Sequence, residues 1–208
     1  MSEPKLPVGG DFTYGHPGGV ALTRRALELC DLPEGASVLD FGCGRGDTLT
    51  LMRDELKLDA YGADADRAAV NSCKLRDPTL KVTRVRNNVL DFPSSSFDAV
   101  IAECSLSVVE DGTRGEYLHE FYCILKPGGK LALCDVFRRG DEDAIQAELE
   151  NAGFTLRSWE YRSSDLKSYV AQLIMDDRSI TACDRYGNDT SYFLLVAERK
   201  GAWTPDNP

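Results

Sequence analysis

The stretch VLDFGCGRGDT, Val38 to Thr48, decides how the rest of the chain is read. Val38, Leu39 and Phe41 are apolar, interrupted by one acid, Asp40. Gly42, Gly44 and Gly46 then alternate with Cys43 and Arg45. Beyond them Leu49, Met52 and Leu56 recur at close to helical spacing. This order predicts a strand, a tight glycine turn and a helix start. Glycines there let the backbone take positive φ and let a ligand press against it. In an open α/β sheet, ligands bind outside the carboxyl ends of the strands, where this turn falls.

The spacing narrows the ligand. A dinucleotide site wants G-x-G-x-x-G, so that a pyrophosphate rests on the helix N-terminus. Here the rhythm is D-x-G-x-G-x-G, and Gly46 comes one residue too early. A carboxylate just before the turn repels a pyrophosphate and suits a ligand that brings a cation, such as an ammonium or a sulfonium.

Upstream, residues 1 to about 18 are rich in Pro and Gly and carry Phe12, Tyr14 and His16, which reads as a mobile arm. Val20 to Cys30 reads as a helix, closed by a Pro33-Glu34-Gly35 turn. Asp59 to Asp64 reads as a second strand that ends in an acid. Asp64 lies 24 residues after Asp40, a placement that offers hydrogen-bond acceptors to ribose hydroxyls. The same spacing serves NAD, so Asp64 alone indicates an adenosine ribose. Arg67 to Leu75 is a helix stopped at Asp77-Pro78. Leu80 to Val85 is a strand near a sheet edge, and Phe97 to Ala102 is a strand buried on both faces. Thr113 to Leu125 is a helix with Tyr117, Leu118, Phe121, Tyr122 and Leu125 on its apolar side. Pro127, Gly128 and Gly129 break it, and Lys130 to Phe137 is the fifth strand. A helix (Asp141 to Ala152), a strand (Phe154 to Tyr161), a helix (Ser164 to Met175) and a last strand (Ser191 to Ala197) complete the chain. The helix 164–175 either helps roof a site or simply packs in the core.

The glycine stretch resembles motif I of the class I S-adenosylmethionine (SAM)-dependent methyltransferases. The turn LKPGGKL, Leu125 to Leu131, is a second match, and Asp64 is a third. The resemblance covers about residues 36–136, and the flanks are loosely similar to the small-molecule branch that includes ubiquinone and menaquinone methyltransferases. It implies an α/β fold: a doubly wound, mostly parallel seven-stranded sheet with the last strand antiparallel. It divides the chain into an arm and helix (1–35) that cover the site and a SAM-binding domain (36–200). It implies S-adenosyl-L-methionine as cofactor, with S-adenosyl-L-homocysteine as product. Asp40 would then reach the amino group, with Gly42, Cys43 and Gly44 under the methionine part. Asp64 and Ala65 would meet the ribose, and Asn88 and the backbone N–H of Val89 the adenine. The family usually has Asp where this chain has Asn88. The amide oxygen still accepts from an exocyclic amine, without charge.

SAM carries a good leaving group, so catalysis needs mainly a nucleophile held in line, with a base where the nucleophile is an alcohol, phenol or carbon acid. Candidates lie where the fourth and fifth strands end: Glu103, Cys104, Ser105 and Asp135. Glu103 is a candidate base, a holder of a cationic substrate, or a polar lining of the methionine pocket. Cys104 is the cysteine expected to face the cleft, either as plain lining or as a ligand for a soft atom. In related enzymes the arm folds over the cofactor, which makes Tyr14 and His16 candidates, with Thr23 a weaker one. His119 reads as a surface residue.

Composition sets the outer bounds. At 208 residues and 42% hydrophobic, the chain fits one domain. No apolar run approaches a membrane span, and the opening MSEPKLPVGG lacks the apolar centre of a signal peptide. A cytoplasmic monomer or homodimer is expected. A net charge of −10 argues against nucleic acid without excluding a protein partner, and the resemblance implies a small-molecule methyl acceptor. The seven cysteines show no C-x-x-C pair, so no metal is expected, and Cys30, Cys43, Cys123 and Cys134 read as small core residues. Two other readings stand beside the methyltransferase: a catalytically idle SAM-binding regulatory protein, and a nicotinamide-dependent oxidoreductase on a similar sheet.

Overall fold

The computed structural model describes residues 15–109, 112–178 and 186–201. In it the chain alternates helix and strand: α1 (Gly19–Cys30), β1 (Ser37–Phe41), α2 (Asp47–Thr50), β2 (Asp59–Asp64), α3 (Arg67–Arg76), β3 (Lys81–Arg84), β4 (Phe97–Glu103), α4 (Arg114–Ile124), β5 (Leu125–Arg138), α5 (Glu142–Asn151), β6 (Phe154–Tyr161), α6 (Ser163–Met175) and β7 (Thr190–Arg199). The seven strands form one sheet in the order β3-β2-β1-β4-β5-β7-β6. The pairs from β3 across to β5 are parallel, and β7 runs antiparallel between β5 and β6. This is the doubly wound sheet expected from the sequence. The strand order reverses at β1 and β4, so their carboxyl ends open a crevice there.

Period-two alternation builds the two cores. On β7, Tyr192, Leu194 and Val196 face one layer, while Phe193, Leu195 and Ala197 face the other. The first layer takes Leu22 and Ala26 of α1, Leu49 of α2, Val70 and Cys73 of α3 and Leu166 of α6. The second takes Leu118 and Phe121 of α4 and Leu149 of α5. With both faces covered, β4 is apolar almost throughout. Among the described residues no helix is long and apolar enough to cross a membrane.

Three elements depart from the sequence expectation. The helix after the glycine turn passes into a π-helical turn over Leu51–Glu55, where the Leu56 N–H donates to the Leu51 carbonyl at 3.2 Å. The Pro127-Gly128-Gly129 run does not precede the fifth strand but lies inside it: β5 begins at Leu125, and the extra residues are taken up as a bulge opposite Phe97 and Ala99. Cys123, read as a core residue, is partly exposed, while Cys73 is fully buried. Cys73 turns inward because it fills the space that the third motif glycine leaves open.

Gly46 has φ +81°, and a β-carbon there would lie 2.6 Å from Cys73 Sγ. Backbone conformation and packing both reject a side chain. Gly46→Ala is therefore expected to destabilise the protein by about 1–3 kcal/mol, read from urea unfolding. Combined with Cys73→Ala, it should cost less than the two single changes added together, since the packing part of the penalty disappears.

Candidate active site

Strand β1 ends at Phe41, and the chain reverses through Gly42. The Gly42 N–H donates to the Ala63 carbonyl of β2 at 2.7 Å. Gly42 has φ +80°, and a β-carbon there would lie 2.4 Å from Ser105 Oγ. That hydroxyl donates to the Phe41 carbonyl at 2.7 Å. The turn is thus locked against the end of β4 by a bond that requires the glycine. Gly44, at φ +53°, presents its N–H to Asp64 Oδ2 at 2.8 Å and has an unobstructed side. The other Asp64 oxygen accepts from the Asp66 N–H at 2.8 Å.

The cleft beyond this turn has two lobes. One, of about 450 Å³, is walled by Asp64, Ala65, Asn88, Ser105, Val109 and Tyr117. The other, of about 800 Å³, is walled by His16, Asp40, Cys43, Gly44, Thr48 and Arg178. Gly42, Glu103 and Cys104 border both. The structure therefore gathers nearly all the sequence candidates into one crevice, at the switch between β1 and β4.

Its floor is acidic and buried. Asp40 is 4% exposed, and its Oδ2 has no hydrogen-bond partner. Burial, with the nearby charges of Glu103 and Asp64, pushes its carboxyl well above the usual range. The Glu103 side chain is 5% exposed. Thr23 Oγ1 donates to its Oε1 at 2.9 Å, and Thr48 Oγ1 lies 3.4 Å from its Oε2. Burial raises the Glu103 carboxyl, while His16 and the two threonines pull it partly back.

His16 corrects one expectation. Read as part of a mobile arm, it is 8% exposed and seated against the crevice. Its Nδ1 lies 3.0 Å from the Pro17 carbonyl, and its Nε2 lies 3.4 Å from Thr23 Oγ1 and 3.6 Å from Glu103 Oε2. Helix α6 supports this segment: Tyr169 Oη donates to the Gly15 carbonyl at 2.8 Å, while Leu166 and Leu173 pack inward. The helix thus both fills the core and steadies one wall of the site. Tyr14 lies outside the described residues.

Two other candidates sit differently from their expected places. The Val89 side chain is 54% exposed and borders a separate cavity, and its N–H donates to the Arg86 carbonyl at 3.1 Å. The positive φ of Asn87 and Asn88 turns the chain there, leaving Asn88 in the cleft and Val89 outside it. Asp135 is buried beneath the cleft and accepts the backbone N–H groups of Leu106 and Ser107 at 3.0 and 2.9 Å. It positions the loop after β4. Asn88 Oδ1 accepts from Tyr117 Oη at 3.0 Å, and its second lone pair remains available. Cys104 takes φ +52°, and its Sγ lies 3.3 Å from the buried Tyr192 hydroxyl. Thr48 and Arg178 were not anticipated. A threonine inside a helix start and an arginine in a polar loop carry no local signal of a site.

Comparison with known proteins agrees with this geometry. Residues 38–129 match a family model described as a methyltransferase domain. Phosphoethanolamine N-methyltransferase 3 of Arabidopsis thaliana is 29% identical over 190 residues, covering 88% of this chain and 36% of that protein. The chain spans about a third of the length of the curated phosphoethanolamine methyltransferases it matches. The structure of the [4+2]-cyclase SpnF superposes with a TM-score of 0.72 at 24% identity, covering 87% of this chain and 80% of that one. Phosphoethanolamine N-methyltransferase 2 of Haemonchus contortus, solved with S-adenosyl-L-methionine, gives a TM-score of 0.71 at 18% identity, covering 89% and 54%. An acid ahead of the glycine turn, an acid closing β2 and this strand order agree with the match of residues 38–129 to a methyltransferase domain.

Proposed function

We propose that the chain transfers a methyl group from SAM to a small-molecule acceptor. The observation that carries this reading is Asp40 Oδ2: a buried carboxylate oxygen without a partner, on the wall of a cleft. Leaving such a group unsatisfied costs free energy, and an ammonium supplies both the charge and the hydrogen bonds it lacks. The residues present fit SAM. Asp40 would hold the amino group of its methionine part, Gly42 and Gly44 would let that part approach the backbone, and Asp64 would accept from the ribose hydroxyls. Ala65 and Asn88 would border the adenosine, with Cys43 beside the methionine lobe. Bound SAM supplies an electrophilic methyl group on a sulfonium.

The chain's own contribution centres on Glu103, where the two lobes meet. Its carboxylate is oriented by Thr23 and Thr48 and faces His16. In this reading Glu103 takes the proton that the acceptor loses, and His16 holds the carboxylate in place. Burial raises its pKa, the direction in which a carboxylate gains proton affinity as a general base. The arm that carries His16, together with α1, would cover the site. Cys104 would line the junction without reacting. The acidic floor and the net charge of −10 fit a cationic or neutral acceptor better than a nucleic acid.

Three measurements test this reading. Calorimetry with S-adenosylhomocysteine should show Asp64→Ala weakening binding by about 1–3 kcal/mol; unchanged affinity in a folded variant contradicts the ribose assignment.

Asp40→Asn should weaken binding and yet stabilise the ligand-free protein near neutral pH. The folded carboxyls of Asp40, Glu103 and Asp135 all titrate above their ordinary range. The folded state then holds protons that the unfolded chain has released. That contribution is complete below the unfolded carboxylate range and is lost as pH rises through the folded pKa values. Thermal melts should accordingly show wild-type stability falling with rising pH more steeply than in Asp40→Asn; parallel curves would count against a buried charge at this position.

Glu103→Gln keeps the shape and should leave S-adenosylhomocysteine affinity nearly intact, while turnover of labelled SAM falls about 10²–10⁴-fold. Undiminished turnover removes Glu103 from the base role, and no turnover by wild type with any acceptor in a metabolite extract supports an idle binder instead.

A further inference from the structure

A second cavity, of about 700 Å³, lies between α3, β3 and the loop that follows β3. Four cationic residues surround it: Arg67 and Lys74 from α3, Arg84 from the end of β3, and Arg86 from the loop. Asn71 and Thr83 add neutral hydrogen-bonding groups, and Asp91 is the one acid among its lining residues. Arg67, Asn71 and Lys74 share a helix face by their spacing of four and three residues.

We propose that this cavity is a second binding site, for a small molecule that carries phosphate groups. The first support is the state of the four cations. Elsewhere many arginines and lysines stand against carboxylates, among them Arg53 against Asp77 at 2.8 Å, Lys126 against Asp98 at 2.8 Å and Arg162 against Asp165 at 2.7 Å. The chain has 34 acids for 24 bases, so partners are plentiful. Yet none of the four has a carboxylate within 4.0 Å among the described residues. Converging like charges repel one another, and an anion between them removes that repulsion.

The second support is shape. The cavity volume falls in the range of small-ligand sites. A polyanionic polymer would meet a surface of net charge −10 around it, whereas a compact phosphate ester reaches the cations and little else. Guanidinium groups match phosphate oxygens in pairs. The site also adjoins the larger cleft. Arg84 Nε donates to the Ala65 carbonyl at 3.2 Å, and Ala65 borders the adenosine lobe.

Inorganic phosphate, pyrophosphate and tripolyphosphate, titrated calorimetrically into the full chain, test the proposal. Tripolyphosphate should bind more tightly than phosphate, with an affinity that falls as salt rises. The double variant Arg67→Gln, Arg86→Gln should weaken it roughly tenfold or more, from losing charge-assisted hydrogen bonds. All four positions changed, in this variant and its control, are exposed, and unaltered thermal melts would verify folding. The control, Arg139→Gln with Lys167→Gln, removes the same charge elsewhere and should leave the affinity unchanged. Equal weakening by the control, or no binding of tripolyphosphate at millimolar concentration, would overturn the site.

Discussion

The structure depends on an unfavourable arrangement: carboxylates crowded at one end of a buried sheet. Asp40 is desolvated within range of Glu103 and Asp64, whose charges add to the cost of ionising it, and Glu103 is itself desolvated. Sheet geometry forces this proximity. β1 and β4 are adjacent and parallel, and Asp40 and Glu103 stand at their carboxyl ends. A fold selected for stability alone would replace such acids with apolar residues. Retaining them makes sense where a cation completes the site, as the sulfonium amino acid of the proposed reaction would.

Around that charge the scaffold is over-determined. Ser105 ties the end of β4 to the end of β1 through the Phe41 carbonyl, in space that only a glycine leaves free. Asp135 receives two backbone N–H groups of the loop after β4. Thr23 reaches from α1 to Glu103, and Tyr169 reaches from α6 to the segment before α1. The site is therefore positioned by regular elements, with loops contributing mainly at its rim. Such preorganisation is what a reaction limited by alignment requires.

The glycine turn shows how one motif serves two purposes. Gly42 and Gly44 border the cleft, whereas Gly46 faces away from it and packs on Cys73. The alternating glycines are thus partly a wall of the cleft and partly a joint between the first turn of α2 and α3. The same division separates Asn88, inside the cleft, from Val89, outside it: neighbours in sequence point to different cavities because the backbone turns through left-handed conformations between them.

Local sequence was enough to determine the alternation of strand and helix and the acid–glycine turn, because hydrophobic period and glycine spacing act over a few residues, while the doubly wound sheet followed from the resemblance those motifs carry. It also exposed Asp40, Asp64 and Glu103, since acids at strand ends interrupt apolar runs. It could not show that Pro127 to Gly129 would be absorbed as a bulge within β5, for that depends on β4 lying alongside. Nor could it show that His16 is buried or that Thr23 and Thr48 converge on Glu103. Those relations join residues far apart in the chain, and only the packing of α1, α2 and the loops on the sheet brings them within reach.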